Sequence, residues 1–284
     1  MSILLVIVHL LPAAFYLAAW LVSGPPDRPA GDDAGPAPVA GNRGAGLLFV
    51  LGLVAHAAVL YHEVPGSGWR IGFAPMLSAT LWIGAAVLWS EGPRAGARAL
   101  RRLVLPVAAV ASMLPLVFPG ADISAQAARP LFVPHLVVGT LAYGVLALAA
   151  LHALLMAATE RALHGGAAHA VDGRLGRFLE ELPPLLVLER ILFRFIAVGF
   201  AFLTLTAASG ILFSEELFGR PFVADHKTVF SLIAWAVFGV LLVGRWLWGW
   251  RGRTALRLTL AGFVLLLLAY VGSRFVLEVV LGRS

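Results

Sequence analysis

Eight histidines, a single lysine and no cysteine are distributed through a chain that is otherwise mostly apolar and arginine-punctuated. A neutral imidazole can ligate a metal, including iron held in a porphyrin, or carry a proton. His9 and His56 fall inside apolar stretches, His62 ends one, His135 opens another and His226 immediately precedes a third. His152 follows His135 by 17 residues, which is ~25 Å along a helix, so the two cannot share one ligand. His164 and His169 lie in a polar connection and read as solvated. Beside these roles stands a plainer one, because an imidazole near a helix end commonly serves as an interfacial or hydrogen-bonded residue. For His56, with apolar neighbours on both sides, ligand or proton-carrier roles weigh evenly against that plainer one. Neither HxxxH nor HExxH spacing occurs, so nothing supports a zinc hydrolase. Without cysteine the chain has no thiolate metal site and no dithiol redox chemistry.

The elements that must position these side chains are membrane spans. The chain is 60% hydrophobic and 13% charged, and a span of the hydrocarbon core needs ~20 apolar residues. The stretches are 2–22, 44–64, 71–90, 102–119, 131–158, 190–214, 228–248 and 254–281. Lipid offers a bare backbone no hydrogen-bond partner, and runs such as Leu141–Met156 do not alternate as barrel strands do. The expected fold is therefore all-α: a polytopic bundle of about eight transmembrane helices forming a single membrane domain over 1–284. The first stretch has no Lys or Arg before it and no small-residue cleavage site, so it reads as a retained span. Residues 23–43, rich in Pro, Gly and Ala, read as a flexible linker. Residues 159–189 read as a loop with an amphipathic segment on the membrane surface.

Charge sets the expected orientation. Arg94, Arg98, Arg101 and Arg102 mark one connection, Arg161, Arg174, Arg177 and Arg190 a second, and Arg245, Arg251, Arg253 and Arg257 a third. Basic residues concentrated in alternate loops mark the cytoplasmic side, which puts both termini outside, in the periplasm of a cell that has one. The net charge of +6 thus belongs to the lipid bilayer and not to nucleic acid. Trp246, Trp248 and Trp250 with their arginine neighbours read as an interfacial anchor. Gly139 and Tyr143 share a helix face with His135, an arrangement open to helix packing or to a flat ring lying over the glycine. Arg274 and Glu278, four apart, read first as a structural ion pair.

One segment has a recognisable pattern. Phe218-Gly219-Arg220-Pro221-Phe222-Val223-Ala224-Asp225-His226-Lys227, followed by Leu232-Ile233-Ala234-Trp235, resembles the signature of the CcsA-type cytochrome c assembly family, which includes HemX-like proteins. That signature is a tryptophan-rich outer loop followed by a span containing L-I-x-W. Gly219, Asp225, Lys227, Leu232, Ile233 and Trp235 match in register. Phe218, Phe222 and Ala224 stand where the family carries tryptophans, and His226 takes a proline position. Ser209-Gly210-Ile211-Leu212-Phe213 and Gly249-Trp250-Arg251-Gly252-Arg253 look like the short inner-membrane branch of this family.

The resemblance implies a cytochrome c assembly protein of the inner (plasma) membrane that binds or presents haem at its outer face. His135 matches one of the family's two external haem-ligating histidines, and His56 corresponds to a histidine inside the membrane. The second external histidine, expected near Leu281, is absent, which leaves His226 as a substitute from the same side. In that reading His135, His56 and His226 are the haem-iron ligand candidates, with Phe218, Phe222, Asp225 and Trp235 around the ring. Partners would be other cytochrome c maturation proteins and the apocytochrome c that supplies thiols. With no catalytic residue to assign, the chain would act as a haem-handling subunit of a cytochrome c synthase and not as an enzyme by itself. The alternative is a non-catalytic protein that regulates or stabilises the haem pathway without bound haem.

Overall fold

A computed structural model describes residues 3–23, 40–62, 70–92, 95–164, 184–218 and 225–269. It is helical almost throughout: α1 (Ile3–Val22), α2 (Ala40–His62), α3 (Phe73–Ser90), α4 (Ala95–Ala111), α5 (Leu114–Val117), α6 (Ser124–Ala127), α7 (Phe132–His164), α8 (Leu185–Leu212), α9 (Ser214–Phe218), α10 (His226–Trp248) and α11 (Gly252–Leu267). Six helical stretches among the described residues are long and apolar enough to cross a membrane, and α1 adds a shorter apolar helix, Val6–Val22. The protein is a polytopic helical membrane bundle, as expected. Large apolar side chains such as Val54, Val107, Leu186, Leu205 and Val240 point outward, where lipid would cover them.

Several boundaries move for local reasons. The expected span 102–119 is two pieces: α4 stops at Ala111 and α5 restarts at Leu114 with Pro115 in its first turn. A proline there lacks the N–H that would have continued the ladder. At 33 residues, α7 is ~50 Å long, well over the ~30 Å of hydrocarbon, so it projects beyond the bilayer. Because α7 reaches His164 and α8 begins directly after Pro184, the connection expected over 159–189 is shorter at both ends. Most of that connection, residues 24–39 of the expected linker and residues 270–281 of the last span fall outside the described residues, and α2 begins at Ala40, inside the expected linker.

The long helices make two four-helix rings. In the first, α1 packs on α2 and α4, and α3 closes the ring against α2 and α4; in the second, α7 packs on α8 and α11, and α10 closes it. The rings meet along α3 and α7. At this seam Gly144 lets the backbones approach: a Cβ there would lie 2.7 Å from Ile83 Cγ2 and 3.1 Å from the Thr80 carbonyl oxygen. Small residues bring membrane helices together in this way, because lipid supplies no hydrophobic drive to press them. One buried apolar core runs through both rings, from Tyr16, Phe49 and Leu88 to Leu146, Ile196, Phe238 and Leu266.

The two ends differ. At one, β1 (Arg70–Ile71) pairs antiparallel with β2 (Ala121–Asp122), setting Arg70 opposite Asp122. Gly120 turns the chain into β2 with φ +75°, and a Cβ there would strike the Ile71 carbonyl oxygen at 2.6 Å. Asp122 accepts bonds from the Ser124 hydroxyl and amide; these, with the Arg70 charge, hold its carboxyl below the usual range. The other end gathers ion pairs from the arginine-rich connections. Arg194 pairs with Glu91, Arg245 with Glu189 at 2.6 Å, and Arg253 with Glu160 at 2.8 Å.

Candidate functional site

His135, in the first turn of α7, turns toward the last turn of α8. Its Nδ1 lies 2.8 Å from Ser209 Oγ, and Ser209 Oγ in turn donates to the Thr206 carbonyl at 3.1 Å. A hydroxyl has one proton: when it goes to that carbonyl, the serine oxygen accepts from Nδ1–H. The neutral ring then carries its lone pair on Nε2, the tautomer a metal ligand needs, fixed by the bond its other nitrogen makes. Gly210 leaves room for the ring, since a Cβ there would sit 3.4 Å from His135 Cε1. The face below His135 is taken up by packing. Gly139 lies against the Thr206 methyl, and Tyr143 donates to the Leu266 carbonyl of α11 at 2.6 Å. Between the two uses left open for that face, helix packing is the one observed.

His56 has different surroundings. It is fully buried in the first ring, with Nδ1 3.3 Å from the Tyr16 hydroxyl of α1 and Nε2 2.8 Å from Ser78 Oγ of α3. Whichever tautomer is present, one nitrogen donates and the other accepts, so both lone-pair and N–H positions have protein partners. His9, also buried, shares this interior. His56 and His135 therefore belong to separate hydrogen-bonded groups on either side of the α3–α7 seam. Across the seam the Thr140 hydroxyl faces Met76 Sδ at 3.9 Å.

The remaining expected residues group around α10. Asp225 is its N-cap, accepting from the amide and hydroxyl of Thr228, each at 3.0 Å. Partial burial pushes its carboxyl up, but those two bonds, with the Lys227 and His226 charges, outweigh it and hold the group below the usual range. His226 opens α10 and is exposed. Because α10 packs on α8 and starts where α8 ends, His226, Ser209 and His135 share one end of the second ring. Trp235 donates Nε1–H to Thr204 Oγ1 at 2.9 Å and stacks on Phe200 at 5.8 Å. Thr204 and Ser209 are five residues apart on α8, about 140° around the helix. Trp235 and His135 thus approach α8 from different sides. Phe218 closes α9, its side chain outside the described residues, as is the whole of Phe222.

Sequence reasoning missed the partners. Tyr16 had a signal, since it follows His9 by two helical turns and so lies on the same face of α1. Ser78 is one of several hydroxyls in its apolar stretch, with Thr80 two residues on, and carries none. Ser209 lies 74 residues from His135, and only its place in the family-like stretch marked it. Among the described residues no three His, Asp or Glu side chains converge as a metal cluster.

Comparison with known proteins agrees over most of the chain. A family model described as "Cytochrome C assembly protein" matches residues 45–281. The "Inner membrane protein YpjD" of Escherichia coli (strain K12) is 30% identical over 234 residues, covering 81% of this chain and 85% of that protein. An Azospirillum brasilense protein, "Uncharacterized 28.8 kDa protein in nifR3-like 5'region", is 32% identical over 243 residues, 82% of this chain and 85% of its own length. A "Cytochrome c biogenesis protein CcsA" from Heterosigma akashiwo is 35% identical over 91 residues, 32% of this chain and 28% of that protein. No solved structure matches.

Proposed function

Since the chain belongs to the cytochrome c assembly family, we propose that it holds haem at the end of the bundle where α7 begins, for presentation during c-type cytochrome maturation. The carrying observation is the chain from His135 Nδ1 through Ser209 Oγ to the Thr206 carbonyl. A ligating imidazole is ordinarily oriented by such a partner on its other nitrogen. The donor chemistry of this end fits haem: a serine-anchored imidazole on α7 and a second imidazole, His226, at the head of a helix that packs on α8.

In this reading His135 and His226 would hold the haem iron, both offered from the end opposite the arginine cluster. Bound haem would supply an iron centre and the vinyl groups to which a cytochrome is attached. The protein's part is to bind and orient it: Ser209 sets the tautomer of His135, and Asp225 fixes the helix that carries His226. His56 supports that end from the first ring, its nitrogens engaged by Tyr16 and Ser78. With no cysteine in the chain, the thiols come from an apocytochrome partner, and the chain acts as a haem-handling subunit.

Oxidised and reduced absorption spectra of protein purified from haem-replete cells test this. A Soret band is expected, lost in His135→Ala, shifted in Ser209→Ala and weakened in His226→Ala. Absence of the band in the parent protein would favour the alternative, a stabilising membrane protein of the haem pathway.

A further inference from the structure

At the ion-paired end, α7 and α11 separate around a cavity of about 330 Å³ whose walls include Ala157, Glu160, Arg161, Arg253, Arg257 and Leu260. The spacing builds it. Ala157, Glu160 and Arg161 fall at i, i+3 and i+4 on α7, and Arg253, Arg257 and Leu260 at i, i+4 and i+7 on α11, so each set lines one face. Because α7 runs toward this end and α11 starts from it, the charged residues stand at the mouth. Ala157 and Leu260 lie about one turn, ~5 Å, deeper.

Among the described residues that line the cavity, positive charge is in excess. Glu160 is taken by Arg253 at 2.8 Å, and among the described residues neither Arg161 nor Arg257 has a carboxylate partner. Among the described lining residues, three guanidinium groups face one carboxylate across a single hollow. Arginine's planar fork suits the oxygens of a phosphate, to which it binds in a bidentate manner. The depth is informative too. Trp246 and Trp248 at the end of α10, 83% and 67% exposed, mark the interfacial level at which headgroups lie. A charged mouth over an apolar floor repeats the layering of a phospholipid, and basic hollows between spans at this level attract anionic headgroups. Free phosphate would leave the apolar floor without a function.

We propose that this cleft binds the phosphate headgroup of an anionic phospholipid, with an acyl chain lying along Ala157 and Leu260. The site is at the opposite end from His135 and does not depend on haem. The test is titration of the detergent-purified full chain with short-chain phosphatidylglycerol, phosphatidylcholine or inorganic phosphate, followed by native mass spectrometry and thermal unfolding. Phosphatidylglycerol should remain bound and raise Tm, while the other two leave both readouts unchanged. The double variant Arg161→Gln/Arg257→Gln should weaken phosphatidylglycerol binding about tenfold or more. Arg161→Lys/Arg257→Lys, which keeps the charge and guards against a folding defect, should fall between. Arg190→Gln, an exposed arginine at the same end of the bundle on α8, should bind as the parent does. Equal binding of the two lipids, inorganic phosphate matching phosphatidylglycerol, an unaffected double glutamine variant, or an equal loss in Arg190→Gln would each overturn the proposal.

Discussion

The two rings hold their histidines in opposite ways. In the first, His56 is wholly enclosed and each ring nitrogen meets a hydroxyl, from Tyr16 on one side and Ser78 on the other. In the second, His135 is half-buried at a helix end, its Nδ1 bonded to Ser209, whose hydroxyl also reaches the Thr206 carbonyl. Both arrangements answer the same constraint, since an imidazole at membrane depth cannot rely on water. Enclosing the ring on both nitrogens makes it part of the scaffold. At His135 a serine holds Nδ1 while the ring stays half-buried at the helix end. Residue type and position at the strand-capped end do not separate these two histidines; their partners do.

The largest expected effect tests whether the rings are joined at one seam. Gly144→Leu places a branched side chain where even a Cβ would lie 2.7 Å from Ile83. Overpacking by a methyl or two costs about 1–3 kcal/mol, and leucine exceeds that. Size-exclusion chromatography in detergent should show loss of the monodisperse species, and parent-like behaviour would mean that the rings are held elsewhere. Next comes the contrast itself. His56→Ala leaves Ser78 and Tyr16 without their buried partner and should cost about 1–3 kcal/mol, whereas His135→Ala should cost under about 1 kcal/mol. Thermal unfolding measures both, and equal losses would erase the distinction between an enclosed and a presented imidazole.

Asp225 sharpens the second ring's side of the comparison. Asp225→Ala removes a helix cap worth about 1 kcal/mol, while Asp225→Asn keeps a capping acceptor and should cost less. Since the folded carboxyl sits below its ordinary value, its contribution is fully present above the ordinary carboxylate range. That contribution is lost as pH falls through the lowered folded value. An acid titration of Tm should therefore be flatter in Asp225→Asn than in the parent, and an identical slope would remove Asp225 as its source. The smallest effect is Trp235→Phe, which gives up the bond to Thr204 and keeps a ring on Phe200. A loss of about 0.6 kcal/mol is expected; a change in the haem spectrum instead would give Trp235 a place at the site.

Much of the fold was legible because lipid imposes strict rules. An apolar run of bilayer length must become a helix, and 131–158 or 228–248 admits little else. The break at Ser112–Met113 was less legible: hydropathy is continuous across it, and only the flanking Pro106 and Pro115 signal an interruption. At the candidate site, the helix-end position of His135 could be read locally, whereas the capping role of Asp225 came from the structure. Trp235 could be placed within a span, but its donor goes to Thr204, a residue 31 positions away. No local pattern encodes that pairing.

By itself, the sequence determined the class of the protein, its helical spans, the concentration of arginines in alternate connections and the family pattern around Phe218–Trp235. These follow from composition and short-range spacing, which lipid and helix geometry convert directly into structure. Only the tertiary structure decided that the spans form two rings meeting at Gly144, that His56 is closed off by Tyr16 and Ser78, and that Arg161 and Arg257 face one hollow with Arg253. Those outcomes depend on which helix faces meet, and lipid does not choose among them. The choice is made by steric fit at a few small residues and by the need of each buried polar group for a partner far away in the chain.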